Sequence, residues 1–228
     1  MKKLLILFVS LVTLSSCLKD KSKVAPENIF LELNAQYVAA AEETYVRAVF
    51  HKDKINGQIV ELDGDGQILV NGQKMVITNP LIGGYNHVFD GYVDSLMVSY
   101  SDRDGNVYDN YVDMELAPYI SVPSSLDSIN IQQDYNLVWN GPAITLENER
   151  VILEYGDSGS NSYSAITDEV DGTSILIPSR DLMSFGEGEI NMFLTRSVDL
   201  DLENAPPKGG TLSIDYSSGR EKVELIYE

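Results

Sequence analysis

Asn71-Gly72 sits between two short runs, Gln67-Ile68-Leu69-Val70 and Gln73-Lys74-Met75-Val76-Ile77. Asn-Gly in that position is the strongest short-range hairpin signal, because a type I′ turn needs positive φ at both central residues. The same grammar of short strand-forming runs closed by turn chemistry recurs along the chain. Residues 45–50 are β-branched and aromatic with partial alternation. Residues 92–100 and 106–114 flank Ser101-Asp102-Arg103-Asp104-Gly105, a second hairpin. Residues 117–125 read as a linker or domain entry. Beyond them, 135–140, 151–155, 174–177, 189–196, 211–216 and 222–227 read as strands, the last two joined through Ser217-Ser218-Gly219-Arg220. Helix signals are confined to a turn or two at 39–43 and 181–183. Many short strands at this spacing predict an all-β chain of antiparallel β-sandwiches.

A division near residue 119 gives two units, 28–118 and 119–228, each long enough to bury a core. The stretch from Leu96 to Asn106 resembles the strand–turn segments of bacterial immunoglobulin-like and PKD-type domains. Leu137-Val138-Trp139, followed by a strand at Val151, resembles the early strands of a fibronectin type III-like sandwich. The resemblance implies two tandem immunoglobulin-like sandwiches with Trp139 in the second core. The disulfide of antibody-type domains has no counterpart, because Cys17 is the only cysteine.

Residues 1–16 have the parts of a secretory signal: Lys2 and Lys3, then an apolar run from Leu4 to Leu14, too short to span a bilayer as a helix. Leu14-Ser15-Ser16-Cys17 resembles the lipobox of bacterial lipoproteins. That resemblance implies cleavage before Cys17, lipidation of its thiol and acylation of the new amine. Leu18 follows the cysteine where an Asp would favour inner-membrane retention in enteric-type sorting, so the implied address is the outer membrane of the cell envelope. Residues 17–27 read as the lipidated tether.

Loss of the signal removes two lysines and no acids, taking the formal charge from −19 to −21. So acidic a body is a poor match for nucleic acid, whose phosphates need Lys and Arg. With Cys17 lipidated no thiol remains, and two histidines, His51 and His87, make a multi-histidine metal site unpromising.

Three constellations stand out. Gly156-Asp157-Ser158-Gly159 resembles the nucleophile segment of chymotrypsin-like serine proteases, with His51 and Asp102 upstream in matching order. It departs from that pattern at Ser160 and around His51, and Asp102 lies in a hairpin turn, so no catalytic residue is assigned. Asp63 and Asp65, and Asp102 and Asp104, alternate beside glycines and could begin a calcium shell, though neither segment is an EF-hand loop. Six tyrosines fall within residues 85–119. Among them Tyr85, Tyr92, Tyr108 and Tyr111 are candidates for a contact surface. The expectation is a non-catalytic, membrane-anchored lipoprotein whose sandwiches bind an unknown protein or glycan, or serve adhesion or scaffolding. The alternative is an accessory hydrolase or glycan-processing lipoprotein using loop carboxylates.

Overall fold

The computed structural model describes residues 24–78, 83–157 and 161–227. The signal segment, Cys17, Ser158 and Ser160 lie outside the described residues. In the first half the strands are β1 (Ile29–Val38), β2 (Glu43–Lys52), β3 (Ile59–Val60), β4 (Gln67–Val70), β5 (Gln73–Lys74), β6 (Tyr85–Asp90), β7 (Ser95–Ser101) and β8 (Val107–Asp113). In the second they are β9 (Ser128–Asn130), β10 (Tyr135–Val138), β11 (Glu149–Gly156), β12 (Ser162–Thr167), β13 (Ser174–Ile177), β14 (Gly188–Asp201), β15 (Gly210–Ser217) and β16 (Glu221–Ile226). One helix, α1 (Ser179–Phe185), follows β13 and takes up the expected turn at 181–183. The molecule is mostly β, as its turn grammar predicts.

The local hairpins form where the turn residues place them. Val70 pairs with Gln73, and Asn71 and Gly72 have φ of 48° and 75°. β7 pairs with β8 across the Asp102 turn.

The long-range arrangement centres on a ten-stranded sheet that runs β12-β11-β14-β15-β1-β2-β3, with β6 also on β2 and β16 on β14 and β9. This sheet crosses the expected boundary at 118/119. β1 lies parallel to β15 over eight positions, from Leu31↔Gly210 to Val38↔Ser217, and antiparallel to β2 on its other edge. Strand β14, fourteen residues long, receives both of the last strands on one edge: β15 beside 195–201 and β16 beside 188–192. The two strands flanking Ser217-Ser218-Gly219-Arg220 therefore follow one another along β14. At the break the Ser218 amide donates to the Leu194 carbonyl (2.8 Å), and the Leu194 amide donates to the Ser218 hydroxyl (2.9 Å). The hydroxyl stands in for the carbonyl that a regular strand would offer.

Alternation decides which face is buried. Leu31, Leu33 and Ala35 of β1 and Val46, Ala48 and Phe50 of β2 point inward. They meet a four-stranded sheet, β5-β4-β7-β8, which contributes Ile68, Val70, Leu96, Val98 and Tyr100; the Phe50 and Tyr100 rings are 4.8 Å apart. In the second half the inward side chains of β11, β14 and β16 share the core with Leu137, Ile175 and Ile177 of the two-stranded β10-β13 sheet and with Leu182 of α1. Trp139 is buried, as the sandwich reading expects. These apolar side chains form one continuous cluster.

Two stretches read as connectors are instead packed. Ala117, Ile120 and Val122 of the expected linker are buried, and Ser121 bridges to Asn140. At the end of the expected tether, Val24 and Pro26 are buried. In both, the apolar residues decide the outcome, because burying them is favourable and their polar neighbours can still face water.

Candidate functional site

The outer face of the large sheet is polar. Its cross-strand rows read Arg47–Asn34–Ser213–Asp199 and Val49–Glu32–Thr211–Asp201, taking β2, β1, β15 and β14 in turn. β15 carries the short side chains Thr211 and Ser213 here, and Arg47 on β2 and Arg150 on β11 carry long ones on either side. The result is a trough of about 610 Å³ that follows β1 and β15. Its walls stand on strands three spacings apart, or about 14 Å. Glu32, Asn34, Thr211 and Ser213 form the floor. Arg47 and Val49 form one wall; Arg150, Asp199 and Asp201 form the other.

Much of the lining is held in place. Asn34 Nδ2 donates to Asp215 Oδ2 at 2.6 Å, the Ser213 hydroxyl donates to Asp215 Oδ1 at 3.2 Å, and Gln36 Nε2 donates to the Ser217 hydroxyl at 2.8 Å. Arg150 pairs with Asp199 and reaches the Ser197 hydroxyl at 3.4 Å. At one end Glu32 Oε2 lies 3.0 Å from His51 Nε2, and His51 Nδ1 lies 3.3 Å from the Gly57 carbonyl oxygen. The loop after β2 closes with Lys52 donating to the Gln58 carbonyl, and places Ile55, 42% exposed, over the trough. Arg47 and Asp201 have no ion pair among the described residues; they stand on opposite walls, in adjacent cross-strand rows.

The sequence-derived candidates occupy other places. The two acidic turns do come together: Arg103 NH1 is 3.6 Å from Asp63 Oδ2, and Arg103 Nε is 3.8 Å from Asp104 Oδ1. The cation between these carboxylates is thus a guanidinium. Asp102 is buried, and its carboxylate accepts from the Asp104 and Asn106 amides, both at 2.9 Å, and from Asn106 Nδ2 at 2.8 Å. Those bonds tie the turn. Among the described residues no group of three or more His, Cys, Asp or Glu side chains is placed to hold a metal ion. His51 and Asp102 have the separate partners just given, so they do not form the base–orienter pair of a protease triad.

The four candidate tyrosines do not share a surface. The Tyr85 hydroxyl accepts from the Leu62 amide (2.9 Å), and its ring meets Phe50 edge-on. Tyr108 stacks on Tyr100 at 5.5 Å on the inner face of β8, whereas Tyr111, 58% exposed, points outward opposite Met97. Tyr92 begins an aromatic series through Tyr37 and Tyr216 to Tyr119, with centroid spacings of 5.2, 5.5 and 5.6 Å. Burial and the neighbouring rings push the Tyr216 phenol up to about 12. This series caps one end of the core, and only its terminal rings, Tyr92 and Tyr119, are well exposed.

No protein-family model matches the chain, and no curated protein matches it at a significant level. Asp199 and Asp201 lie beyond the strand expected at 189–196; β14 continues through Asp201 and places both on a strand face. The signal that could have found them is alternation. Thr211, Ser213, Asp215 and Ser217 repeat every second residue, as do Thr195, Ser197, Asp199 and Asp201.

Proposed function

We propose that this chain is a non-catalytic lipoprotein, anchored through Cys17 to the outer membrane, that binds a polar ligand in the trough on its large sheet. The sandwich reading gives it two immunoglobulin-like halves that share that sheet, each set against a smaller sheet of its own. The observation that carries the binding reading is the trough itself: a broad, open concavity on the sheet, in whose lining Asn34, Ser213, Glu32, Arg150 and Asp199 are tied by hydrogen bonds or ion pairs. Such preorganisation lowers the entropic cost of binding. None of the trough residues forms a nucleophile–base pair. Asp199 and Asp201 stand two residues apart on one strand, hence on the same wall. A glycosidase needs its two carboxylates on either side of the scissile bond; the trough's third carboxylate, Glu32, lies two strands from Asp201 but is engaged with His51 Nε2 at 3.0 Å, so the hydrolase alternative has less support.

Carbodiimide footprinting of the purified full chain, with and without bacterial envelope extract, tests the binding reading. Labelling of Asp201 should fall while that of the remote Asp65 stays unchanged. Unchanged Asp201 labelling, or turnover of chromogenic ester, glycoside or peptide substrates, overturns it. The anchor has its own test. Cys17→Ala should move the protein from the membrane fraction to the soluble fraction, and its retention in membranes would overturn the lipoprotein assignment.

A further inference from the structure

We infer that the trough takes a neutral saccharide, laid along β1 and β15; this rests on the binding reading above. The argument begins with what the floor offers. Thr211 can donate and accept, Asn34 keeps its Oδ1 and a second N–H beside its bond to Asp215, Ser213 gives its O–H to Asp215 and offers lone pairs, and Glu32 accepts at one end. Arg47 on one wall can only donate, and Asp201 on the other can only accept. A ligand that satisfies all of them must itself present groups able to do both, closely spaced along its length. Vicinal sugar hydroxyls meet that description: they accept from the guanidinium and donate to the carboxylate. Ile55 adds an apolar contact for the C–H face of a ring.

Other occupants fit less well. A folded protein partner needs an apolar or aromatic anchor at the centre of its contact, and the centre of this trough is polar. A polyanion would meet Glu32, Asp199 and Asp201 on a chain of formal charge −19, so repulsion opposes its approach. A polycation would leave Arg47 facing like charge. The volume of about 610 Å³ lies within the range of small-ligand sites.

Isothermal titration of the detergent-solubilised full chain with gluco-, manno-, xylo- and galacto-oligosaccharides tests the assignment, with polygalacturonate as the acidic comparison. At least one neutral series should bind with a Kd of about 1 mM or below. Thr211→Arg places a long cation on the floor between Glu32 and Asp201, its two cross-strand neighbours, and should weaken that binding at least about tenfold. Arg47→Ala should do the same from the wall. Thermal melts monitored by circular dichroism establish that both variants are folded. Absence of binding to every neutral series, binding to polygalacturonate alone, or equal affinity in the folded Thr211→Arg variant overturns the inference. If envelope extract still shields Asp201 while no neutral saccharide binds, only the saccharide assignment fails. If Asp201 is never shielded, the binding reading fails with it.

Discussion

Trp139 and Arg196 donate to the same acceptor, the Pro142 carbonyl oxygen: the indole Nε1 at 3.1 Å, and the guanidinium NH2 beside it. Arg196 is fully buried, and its NH1 lies 3.3 Å from Oε1 of the equally buried Glu149. The other carboxylate oxygen, Oε2, accepts from the Thr145 and Leu146 amides at 2.8 and 3.2 Å. One buried ion pair thus fixes the loop between Trp139 and β11. Burial pushes the Arg196 guanidinium below its ordinary pKa, and Glu149 works against that shift.

Breaking a buried pair from one side strands the other charge, which typically costs about 3–5 kcal/mol. We expect Glu149→Gln and Arg196→Met each to lose stability on that order in urea unfolding. The double variant Glu149→Gln with Arg196→Met removes both charges and should lose clearly less than the sum of the two single losses. Additive losses would show that the pair is not energetically coupled.

The loop between β14 and β15 is held against the smaller sheet by Asn110. Its side chain accepts from the Asn204 amide (3.0 Å) and donates to the Asn204 carbonyl (2.9 Å), and Asn110 is 2% exposed. Asn110→Ala leaves two backbone groups without those partners, and we expect a loss of about 1–3 kcal/mol. Asn204→Ala keeps both bonds and loses only its Nδ2 contact to the Asp109 carbonyl, so its cost should be clearly smaller. Chemical denaturation of the two variants side by side checks the order.

These contacts mark where sequence reasoning stops. The Asn71-Gly72 and Asp102 hairpins were legible because turn chemistry acts between neighbours. The pairing of β1 with β15 joins residues such as Asn34 and Asp215, 181 positions apart, and no local signal encodes which strand becomes the neighbour of an edge. That one pairing carries the sheet across the expected boundary at residue 119 and also builds the trough, since Asn34 and Ser213 become adjacent only through it. The acidic turns illustrate the same limit. Asp102 was legible as a turn residue, but Arg103 reaching Asp63 depends on β4 pairing with β7.

Two glycines separate backbone preference from crowding. Gly72 has φ of 75°, and a Cβ added there would meet nothing within 4 Å; at Gly141 (φ 131°) a Cβ would lie 2.4 Å from the Tyr119 carbonyl oxygen. Gly72→Ala should therefore cost only the left-handed backbone penalty, about 1–2 kcal/mol. Gly141→Ala adds a clash with the segment that carries Ile120 into the core, and should lower the melting temperature more. Equal melting temperatures would mean that the 119–122 segment yields freely.

Alkaline stability should depend on the buried phenols. Desolvation raises Tyr216 to about 12 and pushes Tyr100 and Tyr155 further up, from an ordinary value of 10.0. A phenol with a raised folded pKa keeps its proton when folded and releases it on unfolding. Above pH 10 the unfolded chain therefore binds fewer protons, and stability falls as pH rises, by up to about 1.4 kcal/mol per pH unit for each such group. Below pH 10 the contribution is fully present; for Tyr216 it is lost progressively between pH 10 and about 12. Urea unfolding at pH 9 and pH 11 should show this loss, and Tyr216→Phe, which cannot ionise, should reduce it. The Phe variant also gives up any hydrogen bond that the hydroxyl makes to water, so its stability at pH 9 serves as its own reference. A pH 9-to-11 difference identical in the two proteins would mean that Tyr216 ionises as readily in the folded chain as in the unfolded one.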